Sequence, residues 1–95
     1  MSGEIEELER WYEAQCDGDW EHQYGVKIET LDNPGWLVTV DLTDTAWEHL
    51  SQPRKIIQRS ETDWVQSEAG QGKFVGCGGA GNLEEVVQLF LDAVR

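Results

Sequence analysis

The sequence predicts an α+β fold: an antiparallel sheet of about five strands, built as a hairpin plus a meander and flanked by an N-terminal and a C-terminal helix. Three observations lead there. Apolar residues recur at steps of three and four only near the two ends of the chain, they alternate with polar residues in between, and Gly, Pro and Asn separate the alternating runs. Strands flanked by helices imply an antiparallel sheet with helices laid on one face. A chain of 95 residues can bury one modest core, so residues 1–95 are read as a single domain.

From Gly3 to Cys16 the apolar residues are Ile5, Leu8, Trp11, Tyr12 and Cys16, one face of a helix whose other face is covered by glutamates. Ser2 is placed to cap its start, the early glutamates suit the positive end of the helix dipole, and Gly18 is a natural terminator. Val26, Ile28 and Thr30 then alternate with Lys27, Glu29 and Leu31 as in a half-buried strand. Asn33-Pro34-Gly35-Trp36 reads as a type II turn, with proline presetting φ and Gly35 accepting a positive φ. Trp36 to Leu42 returns as the second strand of a hairpin.

Thr43 to Pro53 carries a weak signal and is read as irregular or as a short helix stopped by Pro53. Arg54 to Ser60 follows as a third strand, Glu61-Thr62-Asp63 as a turn, and Trp64 to Glu68 as a fourth strand. Gly70-Gln71-Gly72 turns the chain into a fifth, Lys73 to Cys77. Asn82 with Glu85 reads as a capping box opening the last helix, whose apolar face is Leu83, Val86, Val87, Phe90, Leu91 and Val94.

Nineteen acids against 7 basic residues give a formal charge of −12. That balance argues against nucleic acid or an anionic membrane as a partner, since both require a basic surface. It favours a partner with a basic one. Glu4, Glu6, Glu7, Glu9, Glu13, Asp17, Asp19 and Glu21 all fall within the first 21 residues, so one end of the molecule carries a negative field. The opening Met-Ser-Gly-Glu has neither a basic region nor an apolar run, so a cytoplasmic protein is expected. Cys16 and Cys77, far apart in sequence, are read as free thiols in a reducing compartment.

The densest chemistry lies in Gln15-Cys16-Asp17-Gly18-Asp19-Trp20-Glu21-His22, at the joint between helix and sheet. Its oxygens begin like a calcium loop but lack the later glycine and the terminal glutamate. Cys16 and His22 would supply only half of a zinc site, or a sketch of a nucleophile and base. A metal- or ligand-binding domain, or a minimal hydrolase using this loop, is therefore the alternative function. The plainer account has Glu21 and His22 bonding loop backbone and holding the first helix to the sheet, with Trp20 and Trp36 packed in the core. The Gly76-x-Gly-Gly-x-Gly81 run resembles a phosphate loop, yet it has no lysine and no βαβ context, so a tight strand-to-helix connection explains it better.

Trp11-Tyr12, the Gln15 to His22 stretch, Tyr24-Gly25 and Thr30-Leu31-Asp32-Asn33-Pro34-Gly35-Trp36 together resemble the immunity protein 53 family of bacterial polymorphic-toxin systems. Arg59-Ser60-Glu61-x-Asp63-Trp64 and Asn82-Leu83-Glu84-Glu85 extend the resemblance over nearly the whole chain. It implies a non-enzymatic protein, without catalytic residues or cofactor, that binds and neutralises a cognate toxin domain. An acidic face suits a basic nuclease cleft. The expected partner-binding residues are Asp17, Asp19, Trp20, Glu21, His22, Asp32 and Trp36, with an exposed aromatic such as Trp20 or Trp36 as anchor.

Overall fold

The computed structural model describes residues 3–95. In chain order it contains α1 (Glu4–Gln15), α2 (Trp20–Gln23), β1 (Val26–Leu31), β2 (Gly35–Asp41), β3 (Gln52–Gln58), β4 (Trp64–Gly70), β5 (Lys73–Gly78) and α3 (Leu83–Ala93). The strands form one five-stranded antiparallel sheet in the order β1-β2-β5-β4-β3. This is the predicted α+β arrangement. The hairpin and the meander are joined edge to edge by the β2–β5 ladder, from Trp36 opposite Gly78 to Asp41 opposite Lys73.

Cross-strand partners point to the same face of a sheet. One face therefore gathers Val38 and Val40 from β2, Phe74 from β5, and Val65 and Ala69 from β4, all of them buried. Helix α3 lies over the middle of this face and buries Val86, Val87, Phe90 and Leu91 there. The glycine-dense run makes that approach possible. A Cβ at Gly76 would come within 2.9 Å of Val86 Cγ1, and one at Gly78 within 2.9 Å of Val86 Cγ2. The glycines are thus a platform for a helix, in keeping with a tight strand-to-helix connection.

Helix α1 packs against α3. Trp11 stands edge-on to Phe90 with ring centroids 4.9 Å apart, and it also meets Trp20 at 6.2 Å and Trp47 at 5.7 Å. Ring pairs of this kind add about 0.5–1.5 kcal/mol each beyond the area they bury. Only Leu8 and Trp11 of the predicted helical stripe are buried, while Ile5 and Tyr12 are 49% and 38% exposed. Trp11 and Trp20 are core residues, whereas Trp36, Trp47 and Trp64 are half-buried.

Several expectations shift. The predicted Ser2 cap lies outside the described residues, and Gly3 occupies the N-cap position of α1. Gly35 is no turn residue: the loop is Asp32 to Pro34, Gly35 pairs with Leu31, and the positive-φ glycines are Gly18 and Gly72. Its need is for space, because a Cβ there would run into the Gly78 carbonyl oxygen. Strand β3 starts earlier than predicted and includes Pro53. Proline is tolerated there because β3 is an edge strand whose register with β4 shifts between Gln52 and Lys55. The strand ends at Gln58, since Arg59 and Ser60 donate backbone N–H groups to the Asp63 carbonyl and so belong to the turn. Thr43 to His49 is a succession of turns leading from β2 to the far edge of the sheet, with Leu42 N–H bonded to the Gly72 carbonyl at 2.7 Å.

Candidate functional site

The Cys16 to His22 loop is organised by two of its own acids. Asp17 Oδ1 accepts the backbone N–H groups of Asp19 (3.0 Å) and Trp20 (2.9 Å). Glu21 reaches back to accept the N–H of Asp17 at 3.0 Å and, with both oxygens, that of Gly18 at 3.1 and 2.9 Å. These bonds close the chain into the short helix α2, which alternation patterns do not register because it is one turn long. Gly18 sits at φ +91°, the left-handed conformation that glycine supplies. Cys16 Sγ contacts the Tyr12 carbonyl at 3.3 Å, and both Cys16 and Cys77 are free thiols. Among the described residues no three His, Cys, Asp or Glu side chains are grouped to hold a metal ion.

The backbone amides around each carboxylate also set its acidity. Asp17 is held below the usual carboxylate range by the N–H of Trp20 first and that of Asp19 second. Glu21 is lowered by its own backbone N–H, then by those of Asp17 and Gly18 and by the charge of His22.

The loop places α2 so that Trp20 turns inward. It is 4% exposed, meets Trp11, Tyr12 and Tyr24, and donates its indole N–H to the Thr43 carbonyl at 2.9 Å. Trp20 is therefore a core residue and presents no ring to a partner; its polar atom finds a backbone acceptor instead of water. The exposed aromatic beside the loop is Tyr12. Asp17, Asp19 and His22 are exposed and Glu21 is half-buried.

Asp32 and Trp36 are not part of this cluster. They lie at the far end of β1, about 20 Å away at ~3.3 Å per strand residue. Asp32 is exposed in the hairpin turn, and Trp36 is half-buried with its indole N–H bonded to the Ala80 carbonyl at 2.9 Å. The expected partner-binding set thus falls into two groups.

A second polar cluster, absent from that set, links two segments that the family resemblance singled out. Arg59 binds Asp63 through Nε at 3.0 Å and Nη2 at 2.9 Å, and also bonds Glu85. Asn82 Nδ2 donates to Asp63 Oδ1 at 2.9 Å and to Glu85 Oε1 at 3.2 Å. The predicted capping box is thereby replaced: Asn82 stands at the N-cap of α3 but accepts no cap bond, because two carboxylates engage its amide nitrogen. Asp63 is lowered by the Arg59 hydrogen bonds, then by Asn82, and Arg59 is pushed further up by Asp63 and then Glu85. The cluster fastens the β3–β4 turn to the start of α3. The co-occurrence of Arg59, Asp63, Asn82 and Glu85 in those segments was the available signal.

A pH prediction follows from these shifts. The folded-state pKa values of Asp17, Glu21 and Asp63 are depressed, so their contributions are complete above the unfolded values of about 4 and are lost as pH falls through the folded ones. Glu84 is shifted the other way by its hydrogen bond to Glu4 and then by that group's charge, so acidification through its raised pKa removes a destabilising repulsion. Urea midpoints measured across pH should hold or rise slightly down to about pH 5 and fall steeply below about pH 4. An Asp17→Asn, Glu21→Gln variant should be less stable at neutral pH and show a shallower acid limb. An unchanged limb would mean these carboxylates do not hold the loop.

Fold and site together define the class: a small α+β protein, five antiparallel strands with helices on one face, in which the acids of the first loop brace the backbone. The chain belongs to the immunity protein 53 family, whose model, described as Immunity protein 53, matches residues 5–95. Membership implies a toxin-neutralising role. No curated protein and no solved structure matches the chain. Among the described residues no helix is long and apolar enough to cross a membrane.

Proposed function

We propose that the chain is a non-enzymatic, single-domain inhibitor made in the bacterial cytoplasm beside a secreted polymorphic toxin, and that it binds the toxin's catalytic domain through an acidic surface. The observation that carries this reading, beyond family membership, is the concentration of acids on the exposed side of α1 and in the loop that follows it. Glu6, Glu9 and Glu13 line the exposed side of α1, and Asp17 and Asp19 continue it into the loop. The only basic residue of α1, Arg10, is ion-paired to Glu6 at 2.9 Å. Lys27, Lys73 and Arg54 belong to the opposite side of the sheet, where Arg54 pairs with Glu68.

A negative face of this kind suits a toxin with a basic, nucleic-acid-binding cleft, a nuclease by class. It also disfavours nucleic acid and anionic membranes as partners of the chain itself. Asp19 and His22 are the loop residues proposed to meet the toxin directly, with Asp17 and Glu21 shaping the loop behind them.

The test starts from the genes. A gene for a large secreted protein with a toxin domain should lie next to this one, and co-expression should rescue cells from that domain. Association of the purified pair should slow by about tenfold or more between low and high salt, with dissociation little changed. Metabolic neighbours and no protection against candidate toxins would sink the reading.

A further inference from the structure

The two edges of the sheet are treated differently. The β3 edge carries Pro53, a register shift and the charges of Arg54 and Lys55, devices that discourage another strand from pairing. The β1 edge has neither a proline nor a register shift, and its two charges, Lys27 and Glu29, share the face turned away from the helices. Its register with β2 is unbroken over all six pairs from Val26 to Leu31. Asp41 N–H bonds the Gly25 carbonyl at 3.0 Å, so by antiparallel alternation the backbone groups of Val26, Ile28 and Thr30 point away from β2. Among the described residues no backbone hydrogen bond from another element reaches them.

Beside this edge runs a groove of about 330 Å³. Ile5, Leu8, Glu9 and Tyr12 of α1 form one wall, and Val26 and Ile28 of β1 the other. Among the described residues, three of the four large apolar side chains that stand exposed, Ile5, Tyr12 and Ile28, lie here, and the fourth, Ile56, is on the far edge. The groove is bordered by the acidic side of α1, with Glu6, Glu9 and Glu13, where the one cation, Arg10, is already paired to Glu6. An unpaired strand edge, an apolar slot and a predominantly acidic border coincide.

We infer that this groove receives an extended, basic segment of the partner protein, which pairs with β1 as a sixth strand. Its alternate apolar side chains enter the slot between α1 and β1, and its lysines or arginines meet the glutamates of α1. Main-chain bonds supply affinity and the slot supplies selectivity, the division usual when a strand is added to a sheet edge. The inference rests on the inhibitor reading for the identity of the partner and on the groove alone for the chemistry of the occupant.

Two experiments separate those dependences. The first uses a synthetic peptide of alternating lysine and valine, with an equally charged lysine–serine peptide as control. Binding of the lysine–valine peptide should slow amide exchange at Val26, Ile28 and Thr30. An Ile5→Ser, Tyr12→Ser variant, altered only at exposed side chains, should bind it about tenfold more weakly. Equal binding of both peptides, or unchanged exchange along β1, overturns the groove whatever the toxin is. The second uses the toxin domain encoded beside this gene. Ile28→Pro removes an outward N–H and should abolish protection, while Ile56→Ser on the opposite edge should leave it intact. Protection by wild type that survives both Ile28→Pro and Ile5→Ser, Tyr12→Ser overturns the groove and leaves the inhibitor reading standing. No protection by wild type, with the peptide bound at β1, removes the inhibitor reading and leaves the groove.

Discussion

Phe90→Ala is expected to lower the unfolding free energy by about 3–5 kcal/mol, a large part of what a protein of this size commonly has. Phe90 is fully buried and is the meeting point of three layers. Its ring stands edge-on to Trp11 of α1 at 4.9 Å and to Phe74 of β5 at 5.3 Å, so it joins the outer helix to the sheet through α3. Truncation removes those contacts and leaves a cavity that α3 cannot close, since Val86 is already seated against Gly76 and Gly78. Urea unfolding followed by tryptophan fluorescence would measure the loss. Ile56→Ala, at a site 58% exposed, should change stability by no more than about 0.5 kcal/mol. Equal costs for the two would mean that α1 and α3 are not stacked on the sheet as described.

Gly35→Ala is expected to cost about 1–3 kcal/mol, toward the upper end of the overpacking range. The new methyl group would meet the Gly78 carbonyl oxygen, with Leu31 Cδ1 3.3 Å away on the other side. A flexible side chain could swing clear, but a carbonyl in the β2–β5 ladder moves only if the ladder opens. Gly35 does not have a positive φ, so backbone strain plays no part and the effect reports on space alone. Gly81→Ala is the matched control, because nothing lies within 4 Å of its added carbon. There the substitution should be neutral or stabilising by up to about 1 kcal/mol through the unfolded chain. A Gly35→Ala midpoint equal to that of Gly81→Ala would show that β2 and β5 do not approach closely enough at Gly35 to exclude a methyl group.

Local periodicity made most of the fold legible. The steps of three and four in α1 and α3, and the alternation in β1, belong to single segments and need no knowledge of their partners. What escaped depended on pairing across the chain. The space needed at Gly35 is set by Gly78, which lies 43 positions on in the sequence (78 − 35), so local turn statistics pointed to a positive φ instead. Pro53 within β3 became acceptable only because that strand falls at an edge. At the loop, the plainer account had Glu21 bonding loop backbone, as it does; what escaped was Asp17, which faces the amides of Asp19 and Trp20 and carries no signature of that bonding in side-chain sequence. Trp20 could be read as core or as anchor, and the one-turn helix α2 decides for the core by turning it under α1.

The order of the strands has a consequence in time. The central ladder pairs β2 with β5, and α1, the acidic element, rests on α3 through Trp11 and Phe90 and through Arg95 to Glu7 at 2.9 Å. While the chain is being synthesised, α1 and the β1–β2 hairpin emerge first and have nothing to pack against; an isolated hairpin is marginal at best. Closing the β2–β5 pairing must wait for β5 to emerge, and docking α1 must wait longer still, for α3. Chains that stop before α3 should therefore leave α1 and the hairpin without the surface that holds them.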